Sequence, residues 1–203
     1  MKYGVCAPVG GYSNHLRWLL YLSKEFHLFG ENKLTYIKLA VYNSRKTARN
    51  WIETEWKFRT ILNKCIMLDH NIENIVVTDD PMKIVVMIAR PRHALKSYLK
   101  FNPTLNGHTV RTFMRHVDDD NKSNTRFTSS NANTIVVDSS ILYNPILDKE
   151  LYTSIVAFLD IEDCYDNANE IHKIWYDLHV KAEKEVLLDN PTELVKSIYR
   201  SST

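Results

Sequence analysis

Two stretches of this chain bring together residue types that hold anions. In the first, Gly10 and Gly11 make a flexible turn after Pro8, and Ser13 or Asn14 can cap the helix that follows. The free N–H groups of a helix's first turn point into such a loop. The run Gly10, Gly11, Tyr12, Ser13, Asn14 therefore suits a phosphate or a similar anion. In the second, Arg90-Pro91-Arg92 follow KIVVMIA, the most hydrophobic run of the chain, and Ser97 lies along the helix that begins there. Two guanidiniums at that point offer fixed charge and bidentate donors, a good phosphate clamp. Each stretch also has a plainer reading, as an ordinary strand-to-helix turn and as a solvent-exposed basic turn.

Other residues with chemical potential are less well supported. Asp69-His70 closes a short apolar segment, and such a pair is ordinarily a turn or a satisfied surface pair. His172, Tyr176, His179 and Glu183 form a stripe on the last long helix. Its two histidines stand about 10.5 Å apart along a helix axis, too far to share one ion, so the stripe reads as a partly exposed face. DDDNKSN, counted from Asp118, lacks the Gly and the closing Glu of a calcium loop. Cys6, Cys65 and Cys164 are far apart and without metal-ligand spacing, so they read as reduced thiols of a cytoplasmic compartment. No metal is expected.

The elements that would carry the two anion stretches follow from periodicity. Tyr3, Val5 and Ala7 alternate in a run that suits a buried strand, and Leu16, Leu19, Leu20 and Phe26 then repeat at helical spacing. Lys33 to Tyr42 is expected as a second strand, followed by a helix over 45–64 capped by Ser44. On that helix Arg45, Lys46, Arg49, Lys57 and Arg59 read as a solvated face, with Arg45 or Arg49 as an alternative phosphate neutraliser. Ile66 to His70 is a short apolar segment, and Ile72 to Val77 and Lys83 to Ala89 are β-branched runs. The last is too uniform for a half-exposed strand and reads as the centre of a parallel sheet covered on both faces. Ligands of open α/β sheets bind outside the carboxyl ends of the strands, where Arg90 and Arg92 fall.

Residues 102–133 turn polar and read as a surface loop near a substrate opening. Thr134 to Val137 is a further strand, closed by Asp138-Ser139-Ser140. Asn144 and Pro145 are expected to start a helix whose stripe is Leu147, Leu151, Ile155, Phe158 and Leu159. A last long helix spans about 168–188.

Pro91, Arg92, Leu95 and Ser97 together resemble the second phosphate-binding segment of the sulfotransferases, P-R-x-x-L-x-S. APVGGYSNHLRWLL occupies the place of that family's first segment, and the resemblance spans about residues 3 to 101. It implies a P-loop-type α/β fold: a three-layer sandwich whose central, mainly parallel sheet has about five strands. It also implies 3′-phosphoadenosine 5′-phosphosulfate as cofactor. Gly10, Gly11, Tyr12, Ser13 and Asn14 would hold its 5′ end, and Arg90, Arg92 and Ser97 its 3′-phosphate. The family commonly has a catalytic His between the two segments; His70, twenty residues before Arg90, takes that place as general base. Two departures bear on activity. Val9 stands where the family has Lys or Arg, with His15 or Arg17 as substitutes, and Ser97 is one position closer to Arg90 than the family pattern.

Composition bounds the rest. The chain has 203 residues, 44% hydrophobic and 25% charged, which suits a single globular domain over 1–203 with a helical part over about 144–203. Net charge is only +2, so no bulk field argues for nucleic acid or an anionic membrane. There is no signal-peptide pattern at the start and no membrane-spanning run. A nucleotide kinase or NTPase would need G-x-x-x-x-G-K-[ST], and no such run occurs. Two readings remain: a sulfotransferase-like enzyme acting on a small-molecule or carbohydrate acceptor, or a binding protein that kept the fold and lost the chemistry.

Overall fold

Parallel strands need long crossovers, and this chain supplies helices for them. The computed structural model describes residues 2–26, 34, 37, 66–70, 72–76, 82–99, 107–128 and 133–181. Strand β1 (Lys2–Cys6) leads to helix α1 (Ser13–Leu20), and β2 (Ile66–Asp69) leads to the short α2 (Ile72–Val76). Then come β3 (Met82–Ile88), α3 (Pro91–Leu99), α4 (Gly107–Thr128) and β4 (Thr134–Asp138). A 3₁₀ turn (Ser139–Tyr143), α5 (Lys149–Leu159) and α6 (Tyr165–Trp175) follow, with α6 continuing into a π turn (Tyr176–Lys181).

Among the described residues the sheet has four strands in the order β2-β1-β3-β4, every pair parallel. Val5 lies between Leu68 and Val85, and Val86 pairs Val136, so the carboxyl ends of all four strands share one edge. The chain steps outward from β1 to β2 and returns on the other side of β1 as β3. The switch point therefore lies between β1 and β3, where open α/β sheets bind ligands.

Alternation along the strands sorts the core into two layers. Val5, Val85, Met87 and Val137 pack with Leu16, Leu19 and Leu20 of α1, Tyr152, Ile155 and Leu159 of α5, and Ile171 and Trp175 of α6. Cys6, Ile84 and Val86 face the other way, onto Ile72 and Ile75 of α2, with Phe127 of α4 against them. Strand β3 is buried almost throughout, as its uninterrupted apolar run requires.

Several expectations are corrected. Residues 107–128 form a helix rather than a polar surface loop, because Val110, Phe113, Val117, Asn121 and Asn124 recur at helical spacing and the two asparagines take inward positions. The β-branched run from Ile72 is helical, since Ile72 and Ile75, three apart, both reach the core. Helix α5 starts at Lys149, not at Asn144-Pro145: Asp148 accepts from Leu151 N–H at 3.0 Å and is the cap. Helix α1 ends at Leu20, and Phe26 reaches the core from the turns beyond it. In the expected strand Lys33 to Tyr42, the two described residues, Leu34 and Ile37, are helical. The expected helix over 45–64, with Arg45 and Arg49, lies outside the described residues, as do Cys65 and Glu183.

Candidate functional site

At the switch point the backbone after β1 is held in a conformation that few sequences could adopt. Gly11 N–H donates to Pro8 O at 2.9 Å, closing the turn. Gly10 has φ +84, and a Cβ there would lie 2.4 Å from the carbonyl oxygen of Ala94. Only glycine lets α3 rest against this loop. Tyr12 is also left-handed, φ 58 and ψ 27, and stands at the N-cap of α1 without making a side-chain capping bond. Its ring is held between Tyr143, 5.3 Å away, and Trp175, 4.9 Å away. A bulky residue keeps φ above zero only when its surroundings over-determine it, and here two rings do so.

The expected Ser13 or Asn14 cap is thus displaced by Tyr12. Ser13 is the first helical residue and is buried; Asn14 is exposed and accepts from the Arg17 guanidinium at 3.0 Å. The first intrahelical bonds run from His15 and Leu16 to Tyr12 O. The N–H groups of Ser13 and Asn14 precede them and enter no backbone hydrogen bond among the described residues. Arg17 is 6% exposed, its guanidinium also 6.0 Å from the Tyr21 ring centroid, so it is a packed cation of α1.

Beside this loop, β3 ends in Arg90, whose carbonyl accepts from His93 and Ala94 and so starts α3, with Pro91 at the first helical position. Arg90 is exposed and reaches Asp138, at the end of β4, across 3.5 Å. Burial raises the Asp138 carboxyl, but the Ser140 N–H and hydroxyl and the Arg90 charge outweigh it and bring the group below its usual range. Arg92 is exposed, whereas Ser97 is 1% exposed and its Oγ has no hydrogen-bond partner among the described residues. Five positions apart on a helix, they face directions about 140° apart. The structure gathers Gly10, Gly11, Tyr12, Ser13 and Arg90 at one edge, but it does not bring Arg92 and Ser97 together.

His70 follows β2 on the other side of β1. Its Nδ1 lies 2.8 Å from the carbonyl oxygen of Ala7. A carbonyl only accepts, so His70 Nδ1 carries a proton and donates it to this bond. Helix α4 holds this corner by its asparagines. Asn124 accepts from Ile72 N–H at 3.1 Å and donates to His70 O at 3.2 Å. Asn121 accepts from Ala89 N–H at 3.1 Å and donates to Ala89 O at 2.7 Å. Asp120, on the same helix, has its carboxyl raised chiefly by burial, with Asp119 adding and His70 and His116 opposing.

One group of residues was not anticipated as a unit. His15 and His172 meet at 3.0 Å between Nε2 and Nδ1, and His172 Nε2 donates to Asn144 O at 2.7 Å. His172 is fully buried, which corrects its expected place on a partly exposed face. His15 stacks on Trp175 at 3.8 Å and 10°, and His93 lies 4.1 Å from Tyr143. The signal available was the crowding of aromatic and imidazole side chains at the N-terminus of α1 and along α6.

Compared with protein-family models, with curated proteins and with solved structures, the chain finds no match. Among the described residues no helix is long and apolar enough to cross a membrane, and no group of three or more His, Cys, Asp or Glu is placed to hold a metal ion.

Proposed function

We propose that the protein is a sulfotransferase-like enzyme using 3′-phosphoadenosine 5′-phosphosulfate, on a P-loop-type fold whose full sheet has about five strands. The observation that carries this reading is that a left-handed glycine loop after β1 and an arginine at the end of β3 flank the β1/β3 switch point, with His70 on the same sheet edge, held to Ala7 O. The residues fit the cofactor's anionic ends in part. Ser13 and Asn14 N–H groups face the loop of α1, and Arg90 supplies a cation at the end of β3. Ser97 Oγ is a buried hydroxyl without a partner among the described residues.

When bound, the cofactor supplies an activated sulfuryl group. The chain's own part is to orient and to move a proton. Gly11 N–H is given to Pro8 O, so the N–H groups of Ser13 and Asn14 bind the 5′ end, and Arg90 binds the 3′-phosphate from the neighbouring strand. Ala7 O fixes the His70 tautomer, and His70 Nε2 takes a proton from the hydroxyl or amine of a small-molecule or carbohydrate acceptor. The field near β1 lacks one cation, since Val9 occupies the family's Lys or Arg position. That residue, with Arg90 already paired to Asp138, favours a second reading: a nucleotide-binding protein of this fold without transfer activity.

Thermal unfolding with adenosine 3′,5′-bisphosphate, compared with AMP and with ATP plus magnesium, tests the cofactor. A ligand at a hundredfold its dissociation constant adds about 2.7 kcal/mol. A shift selective for the bisphosphate is expected, and no shift with any of the three sinks the reading. Sulfate transfer to phenolic and carbohydrate acceptors then separates enzyme from binding protein. His70→Ala is expected to lower a measured rate by about 10² to 10⁴ while leaving bisphosphate affinity in place. Full activity in that variant would remove His70 as the base.

A further inference from the structure

We propose that His15 and His172 form a proton-linked latch, in which the neutral pair holds the loop at residues 10–13 in its anion-binding shape and protonation of His172 releases it. This rests on the proposed function only for the identity of the anion.

The chemistry follows from which atoms can donate. Asn144 O can only accept, so His172 Nε2 carries a proton. Its Nδ1 is then the acceptor, and His15 Nε2 donates to it across 3.0 Å. With the His15 proton on Nε2, both bonds require His172 to be neutral. A second proton on His172 would sit on Nδ1, facing the N–H of His15, and the pair would have to part or His15 would have to change tautomer. His172 is fully buried and His15 is 3% exposed, so water cannot relieve the conflict in place.

The pair links two distant parts of the chain. His15 belongs to the first turn of α1, where its own N–H bonds Tyr12 O, and Tyr12 is the left-handed residue that ends the loop. Trp175, three residues after His172 on α6, stacks on His15 and also contacts Tyr12 edge-on. A displacement of His172 therefore reaches Trp175, one of the two rings that hold Tyr12. Trp175 of α6 and Tyr176 of the π turn pack on the pair; Tyr12 of the loop meets it through Trp175, and Tyr143 of the 3₁₀ turn, with His93 behind it, lies on the far side of Tyr12. Arg17, the cation on α1, is turned to Asn14 and Tyr21. Among the described residues burial lowers the His172 pKa from the ordinary 6.5, and the Asn144 carbonyl pulls the other way. The neutral form is thus the one the fold favours. By linkage, the stability it lends is full above the unfolded value of about 6.5 and falls as pH drops below it toward the lower folded value.

The test uses His172→Gln, whose amide can donate to Asn144 O and accept from His15 but cannot take a proton, and His172→Phe, which keeps ring volume and loses both bonds. Amide hydrogen exchange at His15 and Leu16 in the ligand-free protein, corrected for intrinsic rates, is measured at about pH 8 and about pH 5.5. Wild type should lose about tenfold protection in acid, as expected where one proton is taken up preferentially by the open form. His172→Gln should lose none, and His172→Phe should be unprotected at both values. Equal acid loss in wild type and His172→Gln overturns the latch. If His172→Phe fails to fold, the wild-type and Gln comparison decides alone. Adenosine 3′,5′-bisphosphate affinity is then measured at the same two pH values. Acid-sensitive exchange without any bisphosphate binding would keep the latch and discard the functional reading. Pair-independent affinity would discard the latch as a regulator of that site.

Discussion

Residues 7–13 and residues 89–92 leave neighbouring strands at the same edge of the sheet, and they solve opposite problems. The first segment is shape without charge. Its glycines are buried, its one bulky residue is held left-handed by two aromatic rings, and it carries no cation. The second is charge without enclosure, since Arg90 and Arg92 are exposed and Arg90 is held by an ion pair whose side chains are 63% and 48% exposed. A site assembled from both would have its geometry set by buried packing and its charge supplied from the rim. Substitutions in the first should therefore read out mainly as stability, and those in the second mainly as ligand affinity.

The largest effect is expected at Gly10. In Gly10→Ala a methyl group meets the Ala94 carbonyl at 2.4 Å in a backbone region unfavourable to any side chain. A loss of about 3 kcal/mol or more is expected in urea unfolding, against roughly ±0.5 kcal/mol for Arg92→Ala. Equal midpoints for the two variants would erase the contrast between a built loop and an exposed turn. Next in size is Asn124→Ala. It leaves Ile72 N–H and His70 O without their buried partner, at about 1 to 3 kcal/mol for each orphaned group. Asp119→Ala, on the exposed face of the same helix, should be near neutral.

That helix also shows what could be read in advance. Strands β1, β3 and β4 and the glycine loop were legible because their signals are local: alternation, a uniform apolar run, and a glycine pair shortly after proline. Helix α4 was not, because the positions that face the sheet loops at 121 and 124 are asparagines. Asn121 answers both polar groups of Ala89, and Asn124 answers Ile72 and His70, so polar residues do inside the fold what apolar residues usually do. Composition recorded them as a surface stretch. The spacing of Val110, Phe113, Val117, Asn121 and Asn124 was the available sign of a helix. His172 was misplaced for a related reason, since its partner His15 is 157 positions away and no local pattern announces such a pair. The residues proposed for the site, Gly10, Gly11, Ser13, His70 and Arg90, can each be picked out in the sequence. What holds them, Tyr12 between two rings and α4 on His70, depends on contacts that form only in the folded chain.

The smallest stability effects, and the sharpest test of the contrast, lie at Arg90 and Asp138. An exposed ion pair contributes about 0 to 1 kcal/mol, so Arg90→Ala should barely move the unfolding midpoint. Asp138→Ala should cost somewhat more, about 1 kcal/mol, because its carboxylate also accepts from Ser140 N–H at 2.8 Å and caps the turn after β4. The acid dependence follows in sign. The Asp138 carboxyl titrates below its usual range in the folded protein, so the stability it lends is present above about pH 4 and is lost as pH falls through its folded value. Asp138→Ala should therefore flatten the acid limb of the stability curve, whereas Arg90→Ala flattens it only in part. On ligand affinity the two should diverge. Arg90→Ala is expected to weaken adenosine 3′,5′-bisphosphate more than AMP, and Asp138→Ala to tighten the bisphosphate by freeing the guanidinium. If both variants weaken both ligands equally, the exposed turn after β3 is a structural pair, and the charge for any anion at the glycine loop comes from elsewhere.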